Sequence, residues 1–138
     1  MSTKHPWEDE IPVAVETVGP ASVMVCGETG PLLDGEGDAR DLIGVVMAHI
    51  PAGQRWVAIP VSRLGAAFFP LESRVAGDIL QKLGNYHIGV AIVGELPELA
   101  LGRTSVQDFI RESNRGERIW FLSSVEAVIS RLAGEDTS

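Results

Sequence analysis

Between Phe68 and Gly94 the spacing of apolar residues changes period, and the change separates a helix from a strand. Val75, Ala76, Ile79, Leu80 and Leu83 recur at the three- and four-residue steps of one helix face, whereas Ile88 to Val93 is a nearly unbroken apolar run. Ser73 stands where an N-cap is needed, and Gly84 and Asn85 tolerate the left-handed backbone that ends a helix. The β-branched run after them suits a strand covered on both faces.

The same alternation runs through the rest of the chain. Ile11, Val13, Val15 and Val18, with Val23, Met24 and Val25 beyond a Gly19-Pro20 turn, predict two short strands paired as a hairpin. Gly27 to Gly37 holds four glycines but no lysine, so it lacks the spacing of a phosphate-binding loop and is expected to be a flexible connection. Asp38 is expected to cap a helix with Ala39, Leu42, Ile43, Val46 and Met47 on its apolar face, stopped by Pro51 and Gly53. A strand follows from Trp56 to Val61. Loops then run from Ser62 to Pro70 and from Glu95 to Arg103. The TxxQ of Thr104 to Gln107 and the SxxE of Ser123 to Glu126 have capping-box spacing, placing two more helices around a strand at Arg118 to Leu122.

Strand, strand, helix and then strand-helix three times predicts a single α/β domain. Its sheet is mixed but mainly parallel, with about five strands and about four helices. Core positions are expected at Val25, Ile43, Val57, Ile59, Ile79, Leu80, Val90, Ile92, Ile110 and Phe121. With 138 residues and 45% hydrophobic content, one sizeable core is expected over residues 11–133, between a disordered leader at 1–10 and a frayed tail at 134–138.

Composition narrows the function classes. Nineteen acidic against eleven basic residues give a net charge of -8, which disfavours nucleic acid and anionic membrane surfaces. No apolar run approaches the length of a membrane span, and the polar first ten residues lack a signal peptide's apolar core, so a cytoplasmic location is expected. The single cysteine, Cys26, lies in an apolar strand and reads as a buried thiol. His5, His49 and His87 are scattered, and no zinc spacing or nucleophile elbow occurs. Neither a metal nor a cofactor is expected.

The segments FFPLESRVAGDILQKLGNYHIGVAIVG and DFIRESNRGERIWFL resemble the bacterial family known as domain of unknown function 4180. That family's pattern is FFxLxxxxAGxxLQKxxNYxxxxAIVGD followed by DFIxESNRGxxxxF. The resemblance covers Ile11 to Leu132 and implies a STAS-like α/β fold in a bacterial cytosol, with no activity attached. Three positions depart from the pattern: Pro70 replaces an acidic residue, Arg74 stands where many members have glycine, and Glu95 replaces aspartate. The strand pair, the small size and the capped last helix are likewise similar to the STAS fold of anti-sigma factor antagonists.

In a parallel sheet the polar motifs fall on two rims. The rim where strands exit, favoured by ligands, is expected to carry Ser62, Arg63, Phe68, Phe69, Glu72, Ser73, Arg74 and Glu95 as binding residues. Ser73 has a structural role as an N-cap, and the resemblance to STAS antagonists implies a second one, phosphorylation by a partner kinase. The DSSG signature of those proteins is absent, and the loop before Ser73 is longer than theirs. Asn85, Tyr86, Arg111, Asn114 and Arg115 are interface candidates near the opposite rim, although Asn114 and Gly116 equally suit a helix end. The leading expectation is a non-enzymatic regulatory or binding module for a protein partner or a small ligand. The alternative is a small-molecule enzyme with its site around Phe68 to Arg74 and Glu95, where Glu72 and Glu95 would act as an acid-base pair. Monomer and homodimer both stay open.

Overall fold

The computed structural model describes Trp7 and residues 10–70, 74–96 and 102–134. Strands β1 (Ala14–Val18) and β2 (Ala21–Val25) form the expected antiparallel hairpin, with Val18 opposite Ala21 and Gly19 at φ +60° in the turn. Helix α1 (Glu36–His49), β3 (Gln54–Pro60), α2 (Val75–Asn85), β4 (Ile88–Val93), α3 (Thr104–Arg115), β5 (Ile119–Leu122) and α4 (Val125–Leu132) follow. The five strands lie in the order β1-β2-β3-β4-β5, and every pair after the hairpin is parallel. The chain is a single α/β domain with a mixed, mostly parallel sheet, as its periodicity predicts.

Strand order determines how the helices are distributed. Three successive crossovers of one hand, each stepping to the next strand in the same direction, put their helices on one face of the sheet. Accordingly Leu42, Val46, Ala76, Ile79, Leu83, Phe109 and Ile110 of α1, α2 and α3 pack against Met24, Val57, Ile59, Val90, Ile92 and Phe121. The other face alternates with these residues along each strand. It carries Ala21, Val23, Val25, Trp56, Ala58, Ala91 and Trp120 under α4, whose Val125, Val128 and Leu132 cover it.

One short helix suffices there because two tryptophans fill the space. The Trp56 and Trp120 rings lie 4.2 Å apart, and Trp56 rests on Gly89, where an added Cβ would come within 2.4 Å of the indole. Arg131 of α4 covers Trp120 at 4.3 Å. Nine of the ten expected core residues are buried, and Ile110 is half-buried.

Helix ends depart from the local sequence signals. Gly35, not Asp38, is the N-cap of α1, and the Asp38 carboxylate one turn in accepts the Asp34 N–H at 2.8 Å. The N-cap of α2 is Arg74, held at φ +64°. Ser73 and Glu72 lie outside the described residues. Gly84 and Asn85 remain helical, and His87 at φ +58° makes the left-handed exit. Thr104 is already inside α3, behind Arg103 at the N-cap. Ser124 rather than Ser123 caps α4, accepting the Ala127 N–H at 3.1 Å. Of the four N-caps only Ser124 makes a side-chain capping bond.

The leader and the glycine-rich loop also differ from expectation. Trp7 is fully buried, and Glu10 is bonded into the domain, so these two residues belong to the folded body. Leu33 of the loop pairs in parallel with Leu64: its N–H donates to the Arg63 carbonyl at 2.7 Å, and its own carbonyl accepts from Gly65 at 2.9 Å. A loop held this way is a fixed wall rather than a flexible connection.

Candidate functional site

The exit rim is where β2, β3, β4 and β5 end side by side. Two open grooves run along it and share Glu28, Pro60, Val93 and Gly94. The first also takes in Thr29, Val61, Ser62 and Glu95; the second reaches Val13, Cys26, Ser123 and Ser124. Together they form a shallow trough with an apolar floor and a polar border. Sequence reasoning missed Glu28, Thr29, Val61 and Val93, although the placement of strand ends was the signal that marks them.

The six expected rim residues that are among the described ones do not converge. Ser62 and Glu95 line the same groove, and the Ser62 hydroxyl donates to the Glu28 carbonyl at 2.7 Å. Phe68 is wholly inside the core, with the half-buried Phe69 edge-on to it at 5.3 Å. Arg74 is exposed at the start of α2. Glu72 and Ser73 fall outside the described residues, and the acid-base pair with them.

Arg63 occupies a different place from the one expected. It is fully buried, and its guanidinium is satisfied on several sides. Nε donates to the Pro31 carbonyl at 2.8 Å and Nη1 to the Gly27 carbonyl at 2.9 Å. Nη1 and Nη2 meet the two Glu10 carboxylate oxygens at 3.1 and 2.8 Å. The Trp7 ring lies 4.5 Å from its central carbon. Removing one partner of a buried bidentate pair of this kind leaves an uncompensated charge inside the protein. Cys26 sits beside this pair. Burial, reinforced by the Glu10 charge and opposed by Arg63, pushes its thiol up to about 12.

The interface candidates divide between structure and surface. The Asn114 side chain grips the backbone of Phe121, accepting its N–H at 2.6 Å and donating to its carbonyl at 3.3 Å, which ties the end of α3 to β5. Arg111 and Arg115 form exposed pairs with Asp108 and Glu112 one turn earlier on α3. Asn85 and the half-exposed Tyr86 lie at the end of α2, and Arg118 bridges toward them by donating to the Gly84 carbonyl at 3.4 Å. Among the described residues no cluster of histidine, cysteine and acidic side chains could hold a metal ion, and no helix is long and apolar enough to cross a membrane.

No curated protein and no solved structure matches the chain. A family model does match, over residues 18–132, which spans the sheet from the end of β1 and all four helices. The chain therefore belongs to the family described as Domain of unknown function (DUF4180).

Proposed function

We propose that this protein is a non-enzymatic, STAS-like regulatory or binding module of the cytosol that engages a protein partner through its exit rim. The observation that carries this reading is the form of the rim among the described residues: a long, open trough that includes Pro60, Val61, Val93 and Gly94. Two of the four hydroxyls that line it, among Thr29, Ser62, Ser123 and Ser124, have structural duties. Ser62 bonds to the Glu28 carbonyl and Ser124 caps α4. An extended apolar floor with a charged border is the pattern of a partner surface.

Ser73, immediately before Arg74, is the proposed control point. On this reading a charge added there alters the complementarity of the rim to its partner. The exposed Val15 of the edge strand β1, with Ile11 and Val13 just before it, supports self-association as an additional state, which a light-scattering mass of twice 14.8 kDa would reveal.

The test is site-specific photocrosslinking in cells from Val61 and, separately, from Tyr86 on the opposite rim. A discrete adduct from Val61 that is absent from Tyr86, and lost on adding Ser73→Asp to a still-folded protein, is the expected result. Equal capture from both positions, or an adduct indifferent to Ser73→Asp, would remove the rim and its switch respectively.

A further inference from the structure

The pair of Arg63 with Glu10 joins residues that belong to different parts of the chain. The backbone groups that hold the guanidinium among the described residues lie within the family domain of residues 18–132: the Gly27 and Pro31 carbonyls, and Gly30, where an added Cβ would sit 2.7 Å from Nη2. The Leu32 carbonyl, which accepts the Trp7 indole N–H at 3.0 Å, lies there too. The two groups that fill the cradle, the Trp7 ring and the Glu10 carboxylate, both precede that domain. The domain thus carries a preorganised receptor: a guanidinium presenting two N–H groups end-on, an acceptor for an indole, and an aromatic stacking face. A buried arginine demands such an occupant, since without a carboxylate its charge is uncompensated.

We propose that the Arg63 cradle is a recognition site for a peptide bearing an aromatic residue three positions before a carboxylate, occupied in cis by Trp7 and Glu10 and open in trans to a partner segment of the same chemistry. The cis occupant is already folded for the purpose, because the Glu10 N–H donates to the Trp7 carbonyl at 3.1 Å and so sets indole and carboxylate on one side of a turn. Attachment gives that occupant a high local concentration, so it holds the cradle against weak competitors and yields only to a partner segment that binds better or is itself tethered. The cradle is distinct from the apolar floor of the rim, and its role does not depend on that floor being a partner surface.

The experiment uses the full chain carrying Trp7→Ala and Glu10→Gln, with a fluorescent peptide of residues 4–12, KHPWEDEIP, as probe. Emptying the cradle in cis should raise the peptide's apparent affinity about tenfold or more over the wild-type chain, since affinity scales with the fraction of free sites. A peptide with glutamine in place of the glutamate at position 10 should lose that gain. Cys26, the sole cysteine, lies in the same core cluster as Trp7 and reports the cradle's state through alkylation by iodoacetamide. Alkylation should be faster in the variant and slowed again by the peptide. A folded variant that binds the peptide no better than wild type overturns the proposal. Should the variant not fold, alkylation of the wild-type chain decides: a rate independent of low urea means that the arm opens locally and supports the exchange. A rate that tracks global unfolding means that it never leaves, and overturns it.

Discussion

Arg74 illustrates how one backbone angle can be read back into the sequence. At φ +64° it occupies the left-handed region, where a side chain costs about 1–2 kcal/mol and glycine costs nothing. Arg74→Gly should therefore stabilise the fold, by up to about 1 kcal/mol after the greater flexibility of glycine in the unfolded chain is subtracted, read as a higher midpoint in a urea titration. Cys26 makes a second prediction. Its folded thiol is raised above the ordinary value of 9.0 to about 12, so unfolding releases a proton between those limits. The stability this contributes is complete below pH 9 and is lost as pH rises toward 12. The difference in unfolding free energy between wild type and Cys26→Ala should be flat from pH 6 to 8 and shrink above 9, and a flat difference up to pH 11 would contradict the burial that causes the shift.

At the scale of elements, helix ends test what local signals can reveal. Ser123→Ala should change stability little, whereas Ser124→Ala should cost about 0.5–2 kcal/mol, because only the second hydroxyl accepts the Ala127 N–H. Thermal denaturation of the two single variants separates them. Strands and helix faces were legible because burial imposes periods of two and 3.6 over many residues, so one atypical position does not disturb them. Ends were legible only to within one to three residues, since a cap is one bond and neighbouring polar residues satisfy the same pattern. The grooves followed from strand ends, but the fate of Arg63 did not. Its carboxylate partner is 53 residues away in a segment with no periodicity, and nothing local distinguishes a solvated arginine from one that organises a loop.

For the whole molecule, the two faces of the sheet bear unequal cover. Three helices seal one face; on the other, among the described residues, a single helix of eight residues depends on the indoles of Trp56 and Trp120 and on the lack of a side chain at Gly89, where the Trp56 ring rests. Gly89→Ala should cost about 1–3 kcal/mol through displacement of Trp56, a larger effect than at a helix surface, and should alter the near-ultraviolet circular dichroism of the stacked pair. A variant as stable as wild type with an unchanged spectrum would refute that packing.

The running order of the strands, each beside its predecessor in the chain, also bears on how the protein is made. A polypeptide leaving the ribosome presents its N-terminal part first, and here no later strand has to be inserted between two earlier ones. Every new strand finds the edge left by the one before it, and the clasp between Glu10 and Arg63 has both its halves in hand before β4 is synthesised. Protease resistance of stalled nascent chains should accordingly rise in steps, one for each strand and its crossover helix, with Trp7 and Glu10 docked by the time α2 has emerged.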